Sequence, residues 1–270
     1  MRQEADALGS REIPKDAKYG VHTQRAFENF QISGQPLSSY PELLRALAQV
    51  KFAASRANQA LGVLPEGKAQ AIQGACDAII SGEHHSAFIV DMIQGGAGTS
   101  TNMNANEVIA NLGLQILGHE PGAYQHLHPN DDVNCSQSTN DVYPTALRLA
   151  ILSNIDGFVA AQTHLVAAFE AKATELDGVM KVGRTQLMDA VPMTLGQEFR
   201  SFANTIEEDI DRLREVSRLL HEVNLGGTAI GTRVNAPDGY SDLAIAELSR
   251  KSGFDLKPAR NFVEASSDLG

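Results

Sequence analysis

Apolar residues recur every three or four positions along much of this chain, which is the spacing that places them on one face of an α-helix. The spacing predicts three helices of moderate length, each closed by a glycine or a proline. They cover residues 41–61, 65–82 and 106–117. The first 40 residues alternate turn-forming and polar residues, so we expect irregular structure there with a short helix at 24–29.

Two longer helices are predicted in the second half of the chain, over residues 138–177 and 194–224. Pro144 is tolerable in a first helical turn, and Gly157 is the other interruption. The first of these helices would be about 60 Å long at ~1.5 Å per residue. A helix of that length cannot bury its apolar stripe within one small domain, so it should pack in a bundle of long helices, some from other subunits.

These patterns predict a mainly α protein with two parts: a mostly helical N-terminal domain, residues 1–137, and a long-helix bundle domain, residues 138–270. The chain has 43% hydrophobic and 6% aromatic residues and no Trp, which disfavours an all-β fold. The 270 residues are enough for a substantial buried core.

Charge and cysteine content narrow the class of protein. The net charge of −11 disfavours nucleic acids and anionic membranes as partners, which leaves small molecules and proteins. Cys76 and Cys135 are too few for a disulfide scaffold and lack metal-ligand spacing, so we expect reduced thiols in packed surroundings. No apolar run is long enough to span a membrane, and we expect a cytoplasmic protein.

Three polar motifs stand out from the helical background. They are rich in hydroxyl and amide side chains, which suits a site that binds small carboxylates without a metal. They read Gly95-Gly96-Ala97-Gly98-Thr99-Ser100-Thr101-Asn102-Met103-Asn104, Ser138-Thr139-Asn140-Asp141 and Gly183-Arg184-Thr185-Gln186.

Each motif also has a purely structural interpretation. The glycines at 95–98 could form a simple flexible loop, and they lack the features of a nucleotide-binding loop. One residue of the second motif should cap the helix that begins there, although that first turn also presents free N–H groups to an anion. The third motif could be a polar loop between the long helices.

Other polar clusters favour the structural interpretation. The histidine pairs lack a matching frame of cysteines or carboxylates, so we expect solvent-facing histidines and no metal site. The pairs are His84-His85 and His126-x-His128. The acidic residues at 207–211 are typical of a solvated helix face.

Five separated blocks together resemble the aspartase/fumarase superfamily, and within it the aspartate ammonia-lyases. They are Tyr19–Phe30, Thr99–Glu107, Ser138–Thr145, Gly183–Phe199 and Glu222–Thr232. The resemblance to the ammonia-lyases depends on Val21-His22, on the glycines at 95–98, on Val223–Gly226 and on Gln186, where fumarases typically carry histidine.

The resemblance implies a mainly α, L-aspartase-like fold and reversible anti-elimination of ammonia from L-aspartate to give fumarate, without an organic cofactor. It implies that Thr99, Ser138 and Thr139 hold the aci-carboxylate that develops in the reaction. Asn140 and Gln186 would contact the amino group together with Thr99, and Thr185 would help to hold the other carboxylate. Homotetramers are the rule in the family, with sites shared between subunits.

The superfamily's flexible signature loop, which supplies the general-base serine, has no counterpart before Gly270. We therefore expect no catalytic base within this chain, place that serine beyond Gly270, and expect the chain alone to be inactive. The residues Val263–Asp268 resemble the start of a further family helix. Two alternatives stay open at this point: a fumarate hydratase, and a non-catalytic helical fragment that serves assembly.

Overall fold

The structure, a computed structural model, describes residues 1–94 and 97–268 and is mainly α-helical, as predicted. Its α-helices are α1 (Val21–Asn29), α2 (Pro41–Ala60), α3 (Glu66–Ile80), α4 (Thr99–Ile116), α5 (Thr139–Glu175), α6 (Leu195–Ser217), α7 (Tyr240–Ser252) and α8 (Phe262–Ser267). Its strands are β1 (Arg2–Asp6), β2 (Gly9–Ile13), β3 (Met180–Thr185), β4 (Met188–Thr194), β5 (Glu222–Val223) and β6 (Lys257–Pro258). The loop predicted over 95–98 includes Gly95 and Gly96, which lie outside the described residues.

The predicted helices are present, but α4 starts seven residues earlier than expected, and α6 ends at Ser217, short of the predicted end at 224, where a 3-10 turn and β5 follow. Gly98, with φ of +86°, forms its N-cap, and the helix begins at once with Thr99. Polar side chains of its first turns, among them Asn102 and Asn104, are buried. The apolar pattern is weak there because amides occupy positions on the inward face.

Short hairpins were missed by the sequence analysis. Strands β1 and β2 pair antiparallel within the region predicted to be irregular, and β3 and β4 pair antiparallel across the motif at 183–186. Strands β5 and β6 form a short parallel pair. In β1 and β2 only Glu4 and Ile13 are buried, so there is no clear alternation of apolar and polar residues for sequence reasoning to detect.

The chain divides into two compact units, one of residues Met1–Ala150 with His221–Gly270 and one of residues Ile151–Leu220. The predicted division after residue 137 stays a prediction. In the first unit α2 packs against α3 and α7, and α3 packs against α4. Fully buried aliphatic side chains fill this core, including Leu44, Leu47, Ile72, Ile79 and Ile109.

The second unit contains the later part of α5, the hairpin β3–β4 and α6. Three phenylalanines, Phe169, Phe199 and Phe202, lie with ring centroids 5.8 to 6.0 Å apart and join α5 to α6. Other apolar side chains on these helices are exposed, with Phe158 at 54% and Val216 at 54%. As predicted for such long helices, the apolar stripe is larger than this unit can bury.

Cys76 and Cys135 are free thiols, Cys76 fully buried and Cys135 partly so, as expected. Burial raises the pKa of the Cys76 thiol. No helix in the ranges described is long and apolar enough to cross a membrane.

Candidate active site

The motif Ser138-Thr139-Asn140-Asp141 caps α5, as predicted. The Ser138 hydroxyl accepts a hydrogen bond from the backbone N–H of Asn140 at 3.3 Å. The Asp141 side chain accepts a hydrogen bond from the backbone N–H of Ser138 at 2.9 Å. The side chains of Ser138 and Asp141 thus satisfy backbone N–H groups at the start of α5 reciprocally, as in a capping box. Capping uses Ser138 and Asp141, and it leaves the side chains of Thr139 and Asn140 available for other contacts.

Asp141 also fixes a distant block of the sequence to the start of α5. Its Oδ2 accepts the backbone N–H groups of Gly226 at 3.1 Å and Thr228 at 2.9 Å. The carboxyl group is fully buried. Burial raises the pKa of Asp141 to about 6, although the three N–H donors favour the ionised form. Residues 226–228 are therefore held against the motif by the Asp141 side chain.

Asn140 is oriented by that same block. Its Nδ2 donates to the Ala229 carbonyl at 2.7 Å, and its own carbonyl accepts from Asn224 Nδ2 at 3.0 Å. With Nδ2 committed to Ala229, the Asn140 Oδ1 is the part of the amide that can serve a ligand. An amide oxygen is an acceptor, which suits an ammonium group.

The structure brings the beginnings of α4 and α5 together. Asn102, three residues after Thr99 on α4, donates from Nδ2 to the Thr139 hydroxyl at 3.2 Å. The motif at 99–104 and the motif at 138–141 are thus neighbours, although about 35 residues separate them in sequence. The chain between α4 and α5 returns through a loop that includes a π-helical turn at Pro129–Val133.

Thr99 and Ser100 line an open cavity of about 570 Å³. Charged side chains from β1, β2 and α1 form much of its remaining wall, among them Asp6, Arg11, His22, Arg25 and Glu28. Thr99 was predicted as a site residue from the sequence, and these charged neighbours were not.

The cations of this wall are already paired with carboxylates. Arg25 donates from Nε and Nη2 to the two oxygens of Asp6, both at 2.8 Å, and this lowers the pKa of Asp6. Arg11 donates to Glu28 at 3.2 Å. The wall therefore offers paired charges, and its main effect is to hold the hairpin β1–β2 against α1.

A buried carboxylate of α4 fixes the N-terminus of α1. Glu107 is fully buried and accepts the backbone N–H groups of Gly20 at 2.8 Å, His22 at 2.8 Å and Thr23 at 3.0 Å. Free N–H groups at a helix start are satisfied in this way by a side chain from a different helix. His22 Nδ1 also lies 3.0 Å from Glu107 Oε1, a contact that raises the pKa of His22.

We expect this contact to make stability depend on pH. Since the folded-state pKa of His22 lies above its ordinary value of 6.5, the stabilisation is complete below pH 6.5. It is lost as pH rises through the folded-state pKa. Urea unfolding of His22→Gln at pH 6 and pH 8.5 should show a smaller decline in stability than unfolding of the parent. His126→Gln, at an exposed histidine stacked on His119, is the control, and an unchanged decline in His22→Gln would contradict the assignment.

Thr185 and Gln186 lie in the other unit, where Thr185 ends β3 and Gln186 begins a two-residue turn into β4. Gln186 and Leu187 both have positive φ, 48° and 67°. A turn of this type favours Asn-Gly, so two larger residues in it are strained. Such strain at a predicted site residue supports a functional role for Gln186.

One buried charged residue of this region, Lys51, was not predicted from the sequence. Lys51 of α2 is fully buried, and its Nζ donates to Asn134 Oδ1 at 2.7 Å. A signal existed in the sequence: Lys51 stands four residues after Leu47 and three before Ala54, in the middle of the apolar stripe of α2. Burial lowers the pKa of Lys51, while the charge of Asp141 acts in the opposite direction.

The histidines considered for metal binding have other contacts. His85 Nε2 lies 2.8 Å from the Ile79 carbonyl, and His128 Nδ1 accepts two backbone N–H groups of the π-helical turn. Of the four, His126 is exposed and the others are half-buried, so the expectation of solvent-facing side chains was only partly right. In the described part of the chain no group of three or more His, Cys, Asp or Glu side chains could hold a metal ion.

Comparison with known proteins agrees with this arrangement. A family model described as lyase matches residues 9–270. Aspartate ammonia-lyase of Pseudomonas aeruginosa is 59% identical over 270 residues, which are 100% of this chain and 57% of that protein. Aspartate ammonia-lyase of Escherichia coli K12 is 51% identical over 271 residues, again 100% of this chain and 57% of the relative. The chain thus spans somewhat more than half the length of these relatives.

Solved structures give the same result. A fumarate lyase:delta crystallin from Brucella melitensis, described as bound to cobalt, superposes with a TM-score of 0.92 at 59% identity, over 98% of this chain and 58% of that one. A class II fumarase from Schistosoma mansoni superposes with a TM-score of 0.84 at 30% identity, over 97% of this chain and 58% of that one. Taken with the capped motif at 138–141 and its contacts to α4 and to residues 224–229, these matches show that the chain belongs to the lyase family of the aspartase/fumarase superfamily.

Proposed function

We propose that the complete protein is an aspartate ammonia-lyase that converts L-aspartate reversibly to fumarate and ammonia. The observation that carries the proposal is the orientation of the Asn140 amide, whose Nδ2 donates to the Ala229 carbonyl at 2.7 Å. The Asn140 amide oxygen is then available to a ligand, on the residue that follows the hydroxyl-bearing Ser138 and Thr139 in the sequence. An acceptor for ammonium next to hydroxyl donors for carboxylate is the combination that an amino-dicarboxylate requires.

The hydroxyls would act where charge develops. Removing a proton from the carbon beside a carboxylate increases the negative charge on that carboxylate, so donors aimed at it lower the barrier. We assign this role to Thr99, Ser138 and Thr139, each hydrogen bond contributing about 1.5–3 kcal/mol. The start of α5 adds the positive end of a long helix dipole. These residues bind and stabilise, and the base is assigned to none of them.

In the homotetramer proposed below, Gln186 and Thr185 on the hairpin β3–β4 of a neighbouring subunit would contact the substrate. Unlike histidine, glutamine does not change charge near neutral pH, so Gln186 can orient an ammonium group but cannot relay its proton. A hydratase would have to give a proton to the hydroxyl group that leaves as water, whereas an ammonium group leaves as ammonia without gaining one. The amide at this position therefore supports aspartate over malate as the substrate.

We infer that the complete protein is a homotetramer with sites shared between subunits. Exposed apolar side chains on α5 and α6 support this, since helix faces on which Phe158 and Val216 are more than half exposed gain stability when other helices cover them. Light scattering of the purified protein measures the mass directly, and a monomer would contradict the inference. We place the protein in the cytoplasm, where Cys76 and Cys135 remain free thiols.

The proposed activity is tested by offering L-aspartate and L-malate in parallel to the complete protein and following fumarate by ultraviolet absorbance. Fumarate from aspartate supports the ammonia-lyase, and fumarate from malate alone identifies a hydratase. If neither substrate reacts, titration with succinate separates an inactive site from a helical scaffold, because a scaffold without a pocket shows no saturable binding.

We expect Gln186→Ala to weaken aspartate binding more than chemistry. Loss of one hydrogen bond to a charged group should raise KM about tenfold and leave kcat within about twofold. Steady-state kinetics of the complete protein measure both constants. Leu187→Ala is the matched control, because Leu187 occupies the same turn and is 93% exposed. A fall in kcat with unchanged KM in Gln186→Ala would contradict the assigned role.

A further inference from the structure

Lys51 is linked to Thr139 of the candidate site through Asn134 and Asn102, and the proposed function assigns it no role. Its side chain is fully buried, and its ammonium group donates to Asn134 Oδ1 at 2.7 Å. Burying an ammonium group costs free energy, and an apolar side chain of similar size would avoid that cost. The position of Lys51 therefore calls for an explanation beyond packing.

Asn134 Oδ1 accepts three hydrogen bonds. Besides Lys51, it accepts from Asn102 Nδ2 at 3.1 Å and from Asn106 Nδ2 at 3.2 Å. The side-chain oxygens of Asn102 and Asn106 are buried and have no hydrogen-bond partner among the described residues. Both amides thus present nitrogen to Asn134 although their own oxygens are left unsatisfied.

Donor and acceptor chemistry explains this orientation. An ammonium group can only donate, so Asn134 must turn its oxygen toward Lys51. Asn102 must then meet that oxygen with Nδ2, and its second N–H reaches the Thr139 hydroxyl at 3.2 Å. The Thr139 oxygen therefore accepts, and its own proton is free to point elsewhere.

We propose that Lys51 is a positioning residue that, through Asn134 and Asn102, sets the Thr139 hydroxyl as a hydrogen-bond donor toward the substrate carboxylate. The inference rests on the proposed function, in which Thr139 contacts that carboxylate. The Asn134 amide is also restrained by a 3.3 Å hydrogen bond from its Nδ2 to the Gln137 carbonyl. Without Lys51, rotation of Asn134 costs that one contact and gives the unsatisfied oxygens of Asn102 and Asn106 a donor. Asn134 can then present Nδ2 to Asn102, and Asn102 can present its oxygen to Thr139. In that arrangement the Thr139 hydroxyl donates to Asn102, so it can no longer donate to the substrate carboxylate.

A double-mutant cycle in the complete protein tests the proposal. Lys51→Met keeps the side-chain volume and should lower kcat about tenfold while the protein remains folded by circular dichroism. Thr139→Val removes the hydroxyl, so adding Lys51→Met to it should cause no further loss. Lys68→Met is the control, because Lys68 pairs with Asp132 at 2.7 Å and has no contact to the amides. Additive losses in the cycle would overturn the proposal.

Variants at Asn134 keep the test decisive if Lys51→Met does not fold. An ionised carboxylate accepts hydrogen bonds and donates none, so Asn134→Asp should preserve the orientation of Asn102 and keep turnover within about threefold of the parent. Asn134→Leu removes the acceptor and should lower kcat about tenfold, the loss expected for Lys51→Met. Equal losses in the two Asn134 variants would contradict a positioning role.

Fumarate release by the parent protein distinguishes a failure of this proposal from a failure of the proposed function. If the parent releases fumarate from aspartate or malate, the cycle is measured on that substrate, and only the cycle decides the role of Lys51. If the parent releases none, the ammonia-lyase proposal fails, and the same cycle is measured as succinate affinity by calorimetry. Coupling between Lys51 and Thr139 in that affinity supports the role of Lys51, and absence of coupling or of succinate binding overturns it.

Discussion

Asp141→Ala should lower the free energy of unfolding by about 4 kcal/mol and reduce turnover at least about 100-fold. The substitution leaves three backbone N–H groups without an acceptor: that of the part-buried Ser138 and those of the buried Gly226 and Thr228. Each unsatisfied donor costs about 1–3 kcal/mol, and relief of the buried carboxylate's own desolvation offsets part of the total.

The loss of turnover has a geometric cause. The Thr228 N–H held by Asp141 is adjacent to Ala229, whose carbonyl orients the Asn140 amide. When the backbone at 226–229 relaxes, Asn140 loses the contact that fixes its amide. Misplacing a binding group by about 1 Å can cost about 100-fold in rate.

Two variants define the outcome for Asp141. Asp141→Asn supplies one acceptor oxygen in place of two and should lose about 2 kcal/mol, between the parent and the alanine variant. Asp16→Asn, at an exposed position, should unfold like the parent. Urea unfolding at fixed protein concentration measures all three, and an asparagine variant as stable as the parent would show that packing, not hydrogen bonding, is what Asp141 contributes.

Gly98→Ala should cost about 3 kcal/mol of stability and reduce turnover at least about 100-fold. Gly98 has φ of +86°, and a Cβ there would lie 2.4 Å from Cγ and Cδ1 of the Tyr143 ring. The backbone or the ring must move. Because Thr99 follows Gly98 directly, movement of the backbone displaces a hydroxyl assigned to the carboxylate.

Gly118→Ala separates backbone strain from the clash with Tyr143. Gly118 follows the other end of α4 with φ of +80°, and a Cβ there would meet nothing within 4 Å. Its substitution should cost about 1–2 kcal/mol, from the left-handed backbone alone. Combining Gly98→Ala with Tyr143→Ala should restore part of the turnover lost in Gly98→Ala. Equal losses in the two glycine variants would show that the contact with Tyr143 is unimportant.

Much of the fold could be predicted from spacing alone. Helices α2, α3 and α5 were predicted within about two residues of their ends, because their apolar residues follow the helical period and Pro41, Gly62 and Gly82 mark the limits. The capping role of the motif at 138–141 followed from the chemistry of its side chains. The exposed apolar stripe of α5 followed from its length.

The hairpins and the start of α4 could not be predicted in this way. Strands β1 and β2 are five residues each and mostly exposed, so their pairing depends on contacts with α1, such as that between Arg25 and Asp6. At the start of α4 the buried face carries Asn102 and Asn106, and amides at buried positions hide the helical period. Their partners come from other elements, so only the folded chain shows why they are there.

By itself, the sequence determined the mainly helical class, the three polar motifs and the family resemblance, because these depend on the order and type of neighbouring residues. The tertiary structure alone decided which polar groups meet: Glu107 with α1, Asp141 with residues 226–228, and Lys51 with Asn134. Each pair joins residues more than 80 positions apart. A buried charge or amide finds its partner only when packing removes water from both, and the order of residues along the chain does not encode that event locally.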